Sequence, residues 1–137
     1  MLYWFQRIFI VVNYDIDGIC SSRILQTLLK HRHTSYSLGV ICGTEDLRRL
    51  YNEHCEDVKY FVLINCGGTV DLVNLLEPEQ DVIFFIVDSH RPTDLCNVYN
   101  SGQVKVLRYL EGEPGVPEFS DVFREDVSSI IIDIPLF

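Results

Sequence analysis

Basic residues are scarce: 11 lysines and arginines stand against 20 aspartates and glutamates, a net charge of −9. Nucleic-acid affinity comes mostly from neutralised phosphates, so this balance argues against a large nucleic-acid footprint on the domain by itself. Paired cysteines are missing too. Cys20, Cys42, Cys55, Cys66 and Cys96 are odd in number, scattered, and form no CxxC. That argues against a zinc site and a secreted disulfide framework, and reads as reduced core thiols of an intracellular protein. No apolar run suits a signal peptide or a membrane span, because Arg7 interrupts the opening MLYWFQRIFIVV. A soluble chain without a membrane partner is expected. Internal repeats and low-complexity segments are lacking as well.

What is there is an ordinary globular composition, 47% hydrophobic over 137 residues, enough for one domain with a sizeable core. Apolar runs at 8–12, 36–42, 60–65, 82–87 and 104–107 alternate with helical patterns at 19–30, 45–55, 70–76 and 93–99. The first run is apolar throughout, as expected of a strand buried on both faces. In the helix after it, Ile24, Leu25, Leu28 and Leu29 are expected to form one inward stripe. Its end, Lys30-His31-Arg32-His33, would complement the helix dipole, with a DNA contact as the alternative. The second helix should turn Leu47 and Leu50 inward. Thr69 is expected to cap the third, with Asp71 in its first turn. EGEPGVP at 111–117 reads as a loop. Strands and helices alternating this closely imply an α/β fold, a mainly parallel open sheet of about five strands with flanking helices.

Three of the strands stop in polar residues: NYDIDG, NCGG and VDSHRP. In an open parallel sheet a ligand site lies beyond the carboxyl ends of the strands. Asp15, Asp17, Asn65, Asp88 and His90 are therefore expected at one edge, strand alternation setting Asn13, Asp15 and Asp17 on one side. Each piece also has a plain structural reading. Asp17-Gly18 suits a helix cap or turn, Cys66-Gly67-Gly68 a tight turn, and Asp88 with His90 a hydrogen-bonded pair. The residues alone leave both readings open.

DIDG at 15–18, the polar strand end at Asn65 and Asp88-Ser89-His90 resemble the motifs of the DHH phosphoesterase superfamily, which includes the RecJ exonucleases. Those enzymes bind two Mn or Mg ions that activate a water and clamp the phosphate oxygens. FVLINCGGTVDLVNLLEPEQDVIFFIVDSHRPTDLCNVYN, with VPEFSDVFRED after it, is similar to the N-terminal part of the cell division control protein 45 family. That resemblance covers about residues 8–126. It implies a RecJ-like domain over 1–126, part of a non-catalytic assembly subunit of the eukaryotic replicative helicase beside the MCM ring and GINS. It further implies a nuclear role in the initiation and elongation of DNA replication, with a weak single-stranded DNA contact in the full-length protein.

Carried over by position, Asp15 and Asp17 keep the first motif, and Asp88 and His90 keep the outer positions of Asp-His-His. Asn13 stands where the nucleases have an acid or a histidine. Asn65 falls where they supply a carboxylate that bridges the metals, and Ser89 replaces the middle histidine. Neutral amides and hydroxyls do not supply the charge a divalent pair requires. The resemblance thus implies a vestigial site with no catalytic residue and no cofactor. One weak ion at Asp15, Asp17 and Asp88 stays open, as does a residual metal-dependent phosphoesterase or exonuclease. Members of the family are several times longer, with a second lobe and a fourth acidic motif. They continue past Arg124-Glu125-Asp126 into an acidic linker, whereas here VSSIIIDIPLF follows. Val127-Ser128 fits an in-frame splice donor, so 127–137 is expected to be a tail foreign to the family; an edge strand at 130–134 is the native alternative.

Overall fold

The structure, a computed structural model, describes residues 7–100, 102–107 and 117–122. Their elements run β1 (Ile8–Asn13), α1 (Ile16–His31), β2 (Tyr36–Ile41), α2 (Thr44–His54), β3 (Tyr60–Ile64), α3 (Leu72–Leu76), β4 (Ile83–Val87), α4 (Leu95–Tyr99), β5 (Val104–Val106) and α5 (Phe119–Val122). The strands form one sheet in the order β2-β1-β3-β4-β5. Every pairing is parallel. The chain steps outward from β1 to β2, then crosses back to β3 on the other side of β1. The strand order therefore reverses between β1 and β3, and the crevice that such a reversal opens lies at their carboxyl ends.

Alternation along β1 explains its unbroken apolar run. Phe9 and Val11 enter one core, Ile10 and Val12 the other. The larger core lies under α2 and α3, where Leu47, Tyr51, Leu72 and Leu76 meet Phe61, Leu63, Phe84 and Ile86. Its centre is aromatic, with Phe61 and Phe84 at 5.6 Å and Tyr51 within 5.8 Å of both ring centroids. The smaller core is Ile10, Val12 and Ile64, covered by Leu25 and Leu29 of α1.

The structure corrects four sequence expectations. The inward stripe of α1 contains Leu25 and Leu29, but Ile24 and Leu28 face solvent. The phase of the helix is set by Gly18, which is buried and could carry no side chain, because a Cβ there would sit 2.5 Å from the Asn13 carbonyl oxygen. Gly18, Ser22, Leu25 and Leu29 then share the sheet-facing side. Asp71, not Thr69, caps α3, its carboxylate accepting the Asn74 amide at 3.0 Å. The preceding turn is held by Asn97, so the helix starts two residues later than expected. The cysteines are free but not all core residues: Cys66 is buried, whereas Cys20, Cys42 and Cys96 are exposed. Finally, α5 is an added short helix, tied to α4 by a bond from the Tyr99 hydroxyl to the Pro117 carbonyl. Among the described residues no helix is long and apolar enough to cross a membrane. The loop expected at 111–117 lies outside the described residues except for its last position, and the tail at 127–137 lies outside them entirely.

Candidate functional site

The crevice is built from three strand ends. β1 stops at Asn13, and Asp15 takes extended backbone to cap α1, its Oδ1 accepting the Gly18 amide at 2.6 Å. The second oxygen of Asp15 accepts from the side-chain amides of Asn13 and Asn65, the latter at 2.8 Å. These contacts, led by the Gly18 amide, hold the Asp15 carboxyl below its ordinary value against the opposing effect of burial; a positive charge on His90 acts in the same direction.

Asn65 ends β3 in the left-handed region, at φ 54°, a conformation asparagine tolerates better than most residues. Its backbone N–H donates to the Val87 carbonyl at 2.7 Å, continuing the ladder to β4. Its Oδ1 accepts both the Ser89 hydroxyl at 2.7 Å and the Ser89 backbone N–H at 3.3 Å. A backbone N–H needs an acceptor, so the oxygen of the amide must face Ser89 and the nitrogen must face Asp15. One buried amide thus joins the ends of β1, β3 and β4.

Beyond β4, Asp88 serves the neighbouring loops. Its Oδ2 accepts the Gly68 amide at 2.8 Å, and its Oδ1 lies 2.7 Å from His90 Nδ1. A Cβ on Gly68 would lie 2.9 Å from that carboxylate, which explains the glycine. Cys66 is buried among these groups. Burial first, then the Asp88 and Asp15 charges, pushes its thiol up to about 12, so it is no candidate nucleophile.

The expected convergence holds for Asn13, Asp15, Asn65, Asp88, Ser89 and His90. Asp17 differs. The extended backbone of β1 ends at Asn13, so the alternation that would align Asp17 with Asp15 does not continue, and Asp17 lies exposed in the first turn of α1. It still borders a cleft of about 320 Å³ with Asn65, Asp88 and Ser89. A second cleft, about 170 Å³, opens on the side of α2 and is lined by Asn13, Thr44, Asn65, Thr69, Asp88 and His90. Sequence reasoning missed Asn97. It is almost fully buried, donates to the Gly67 and Val70 carbonyls and accepts the Leu72 amide, fixing the loop that brings Gly68 to Asp88. Its local sequence, CNVYN, carries no signal of that role.

These groups do not fit a divalent pair. Asn65 presents N–H groups toward Asp15 where a metal would need lone pairs, and both Asp15 oxygens are already engaged. Among the described residues no three His, Cys, Asp or Glu side chains are disposed to share an ion, and no buried side-chain polar atom lacks a partner.

The chain matches the CDC45 family model over residues 8–128. It is 43% identical to the mouse (Mus musculus) cell division control protein 45 homolog over 121 residues, 88% of this chain and 21% of that protein. Among solved structures, CDC45 from Entamoeba histolytica aligns with a TM-score of 0.71 at 24% identity, over 79% of this chain and 22% of that one. RecJ from Thermus thermophilus, solved in complex with Mn²⁺, aligns with a TM-score of 0.55 at 25% identity, over 74% of this chain and 14% of that one. The chain therefore spans about a fifth of the length of its mouse relative.

Proposed function

The chain belongs to the CDC45 family, and from that premise we propose that it acts without catalysis, as the RecJ-like portion of an assembly subunit of the eukaryotic replicative helicase. In this reading it works in the nucleus beside the MCM ring and GINS, in the initiation and elongation of DNA replication. Residues 1–126 form the RecJ-like domain, and 127–137 are an appended tail. Any contact with single-stranded DNA is weak, since an acidic chain gains little from counterion release.

The observation that carries the non-catalytic reading is the Asn65 amide, bonded to Asp15 on one side and to Ser89 on the other. A two-metal hydrolase needs negative charge at the point where its ions meet. Here an amide occupies that point and satisfies its neighbours, so the strand ends are held without an ion. A domain kept in this form is suited to presenting surfaces to other proteins, where buried apolar anchors and polar rims supply the affinity.

The test is a pull-down of separate MCM and GINS subunits with the full chain, beside a DNA-binding titration. Retention of one partner is the expected result. Retention of neither, alongside tight DNA binding at physiological salt, would reverse the assignment. The second reading, a residual phosphoesterase, draws on Asp15 and Asp88 remaining at one sheet edge, and it requires cleavage that depends on both.

A further inference from the structure

Strand β4 is apolar on both sides, yet only one side is closed. Phe84 and Ile86 are buried in the larger core, whereas Phe85 between them is 40% exposed. Ile10, Val62 and Phe85 are adjacent in register, so Phe85 belongs to the face that carries the smaller core. Among the described residues, the helical cover of that face is Leu25 and Leu29 of α1, which rests on β1 and β3. Parallel strands are ordinarily covered on both faces, and the unbroken apolar run at 82–87 has the composition of such a strand. What the fold leaves beside α1 is an apolar groove of about 310 Å³ between Ile8, Thr34, Tyr60, Val62 and Phe85. Ile8 and Tyr60 open their strands, so the groove lies at the amino ends, away from the crevice of Asp15 and Asp88.

The groove starts where β1 starts. Ile8 lines it, and the residues before Ile8 read MLYWFQR, with Leu2, Tyr3, Trp4 and Phe5 in a row. The functional reading assigns this run no part, and the CDC45 family match begins after it, at residue 8. Phe85 lies two strands and two residues from Ile8, about 12 Å by ordinary strand spacings. The six residues before Arg7 reach roughly 20 Å when extended, enough to fold back over the sheet to Phe85. Two other stretches start elsewhere: 108–116 follows the carboxyl end of β5, and 123–137 follows α5, which is tied to α4.

We infer that residues 1–6 close this groove, with the Trp4 indole seated against Phe85 and Val62. Aromatic rings pack offset or edge-to-face, and seating an indole here removes apolar area of both ring systems from water. The short connection through Arg7 makes the closure local, so little chain entropy opposes it. The inference goes beyond the helicase reading and does not depend on it.

Trp4 is the sole tryptophan of the chain, so its fluorescence reads the groove directly in the full protein. Its emission should be blue-shifted relative to the urea-unfolded chain, with acrylamide quenching reduced severalfold. Phe85→Ala should return the emission toward the unfolded value and raise quenching severalfold. Thr34→Glu sets a charge in the groove from a loop position and should do the same, which keeps the test decisive should Phe85→Ala fail to fold. Melting curves identify the variants that fold. Ile24→Ser on α1 and Leu107→Ser beyond β5 change exposed positions outside the groove and should leave the emission unchanged. Solvent-like emission in the parent chain would overturn the proposal, as would protection of Trp4 that survives both groove variants. Protection lost in Ile24→Ser would also overturn it, by placing the segment on α1. Protection confined to concentrations at which sedimentation shows dimers would overturn closure within one chain and give the groove to a second copy.

Discussion

The side-chain amide of Asn65 donates to the Asp15 carboxylate across 2.8 Å, linking residues 50 positions apart and closing the crevice where the strand order reverses. The consequences reach stability, titration and chemistry.

Removing the clasp should destabilise the domain. Asn65→Ala takes the amide from a half-buried Asp15 and an exposed Ser89, where water replaces part of what is lost, so the cost should be about 1 kcal/mol, the net worth of a typical hydrogen bond. Denaturant unfolding measures it. A midpoint within error of the parent would show that solvent replaces the amide at no cost.

Replacing the amide by a carboxylate should be worse at neutral pH. Asn65→Asp sets two acidic groups against each other and removes the donor to Asp15. One of two adjacent carboxylates is then driven to hold a proton, so the penalty should shrink as pH falls. Mn²⁺ should raise the melting temperature of this variant more than that of the parent. Indistinguishable melting profiles across pH, with and without Mn²⁺, would remove the electrostatic account.

Asp15 gives a pH signature of its own. Its folded carboxyl lies below the ordinary value, so its contribution is present above the unfolded pKa and is lost as pH falls through the folded one. Asp15→Asn should therefore be less stable than the parent near neutrality, and the two should converge in strong acid. A constant gap at every pH would mean the charge contributes nothing.

Catalysis should be absent. Purified protein with Mn²⁺ is expected to leave single-stranded DNA and a small phosphodiester intact, because the Asn65 amide cannot bridge two ions. Cleavage that disappears in Asp15→Ala and Asp88→Ala proteins would restore the enzyme reading.

Thiol reactivity should split the cysteines. Cys20 and Cys42 are exposed and should label quickly in native buffer; Cys96 is exposed too, but the Asp71 carboxylate beside it raises its thiol and should slow it; Cys66 is buried with its thiol pushed up to about 12 and should label only on unfolding. Native labelling of Cys66 at the rate of the others would show that the crevice opens readily.

The order of strands and helices was legible in the sequence, because strands buried on both faces carry continuous apolar runs such as 8–12 between polar and glycine punctuation. So was the meeting of Asn13, Asp15, Asn65 and Asp88, since parallel strands all deliver their carboxyl ends to one edge. The rotation of α1 was not legible. Ile24, Leu25, Leu28 and Leu29 are equally apolar, and only the contact of Gly18 with the Asn13 carbonyl decides which pair turns inward. The start of α3 also shifted, because Asn97 fixes the loop before it from 25 residues away. The state of the crevice was decided by tertiary structure too. Sequence places an amide near a carboxylate, but which end of the amide faces Asp15 follows from the Ser89 N–H on its far side. Hydrogen-bond direction is a property of the assembled site, since each donor must find an acceptor among groups that only folding brings together.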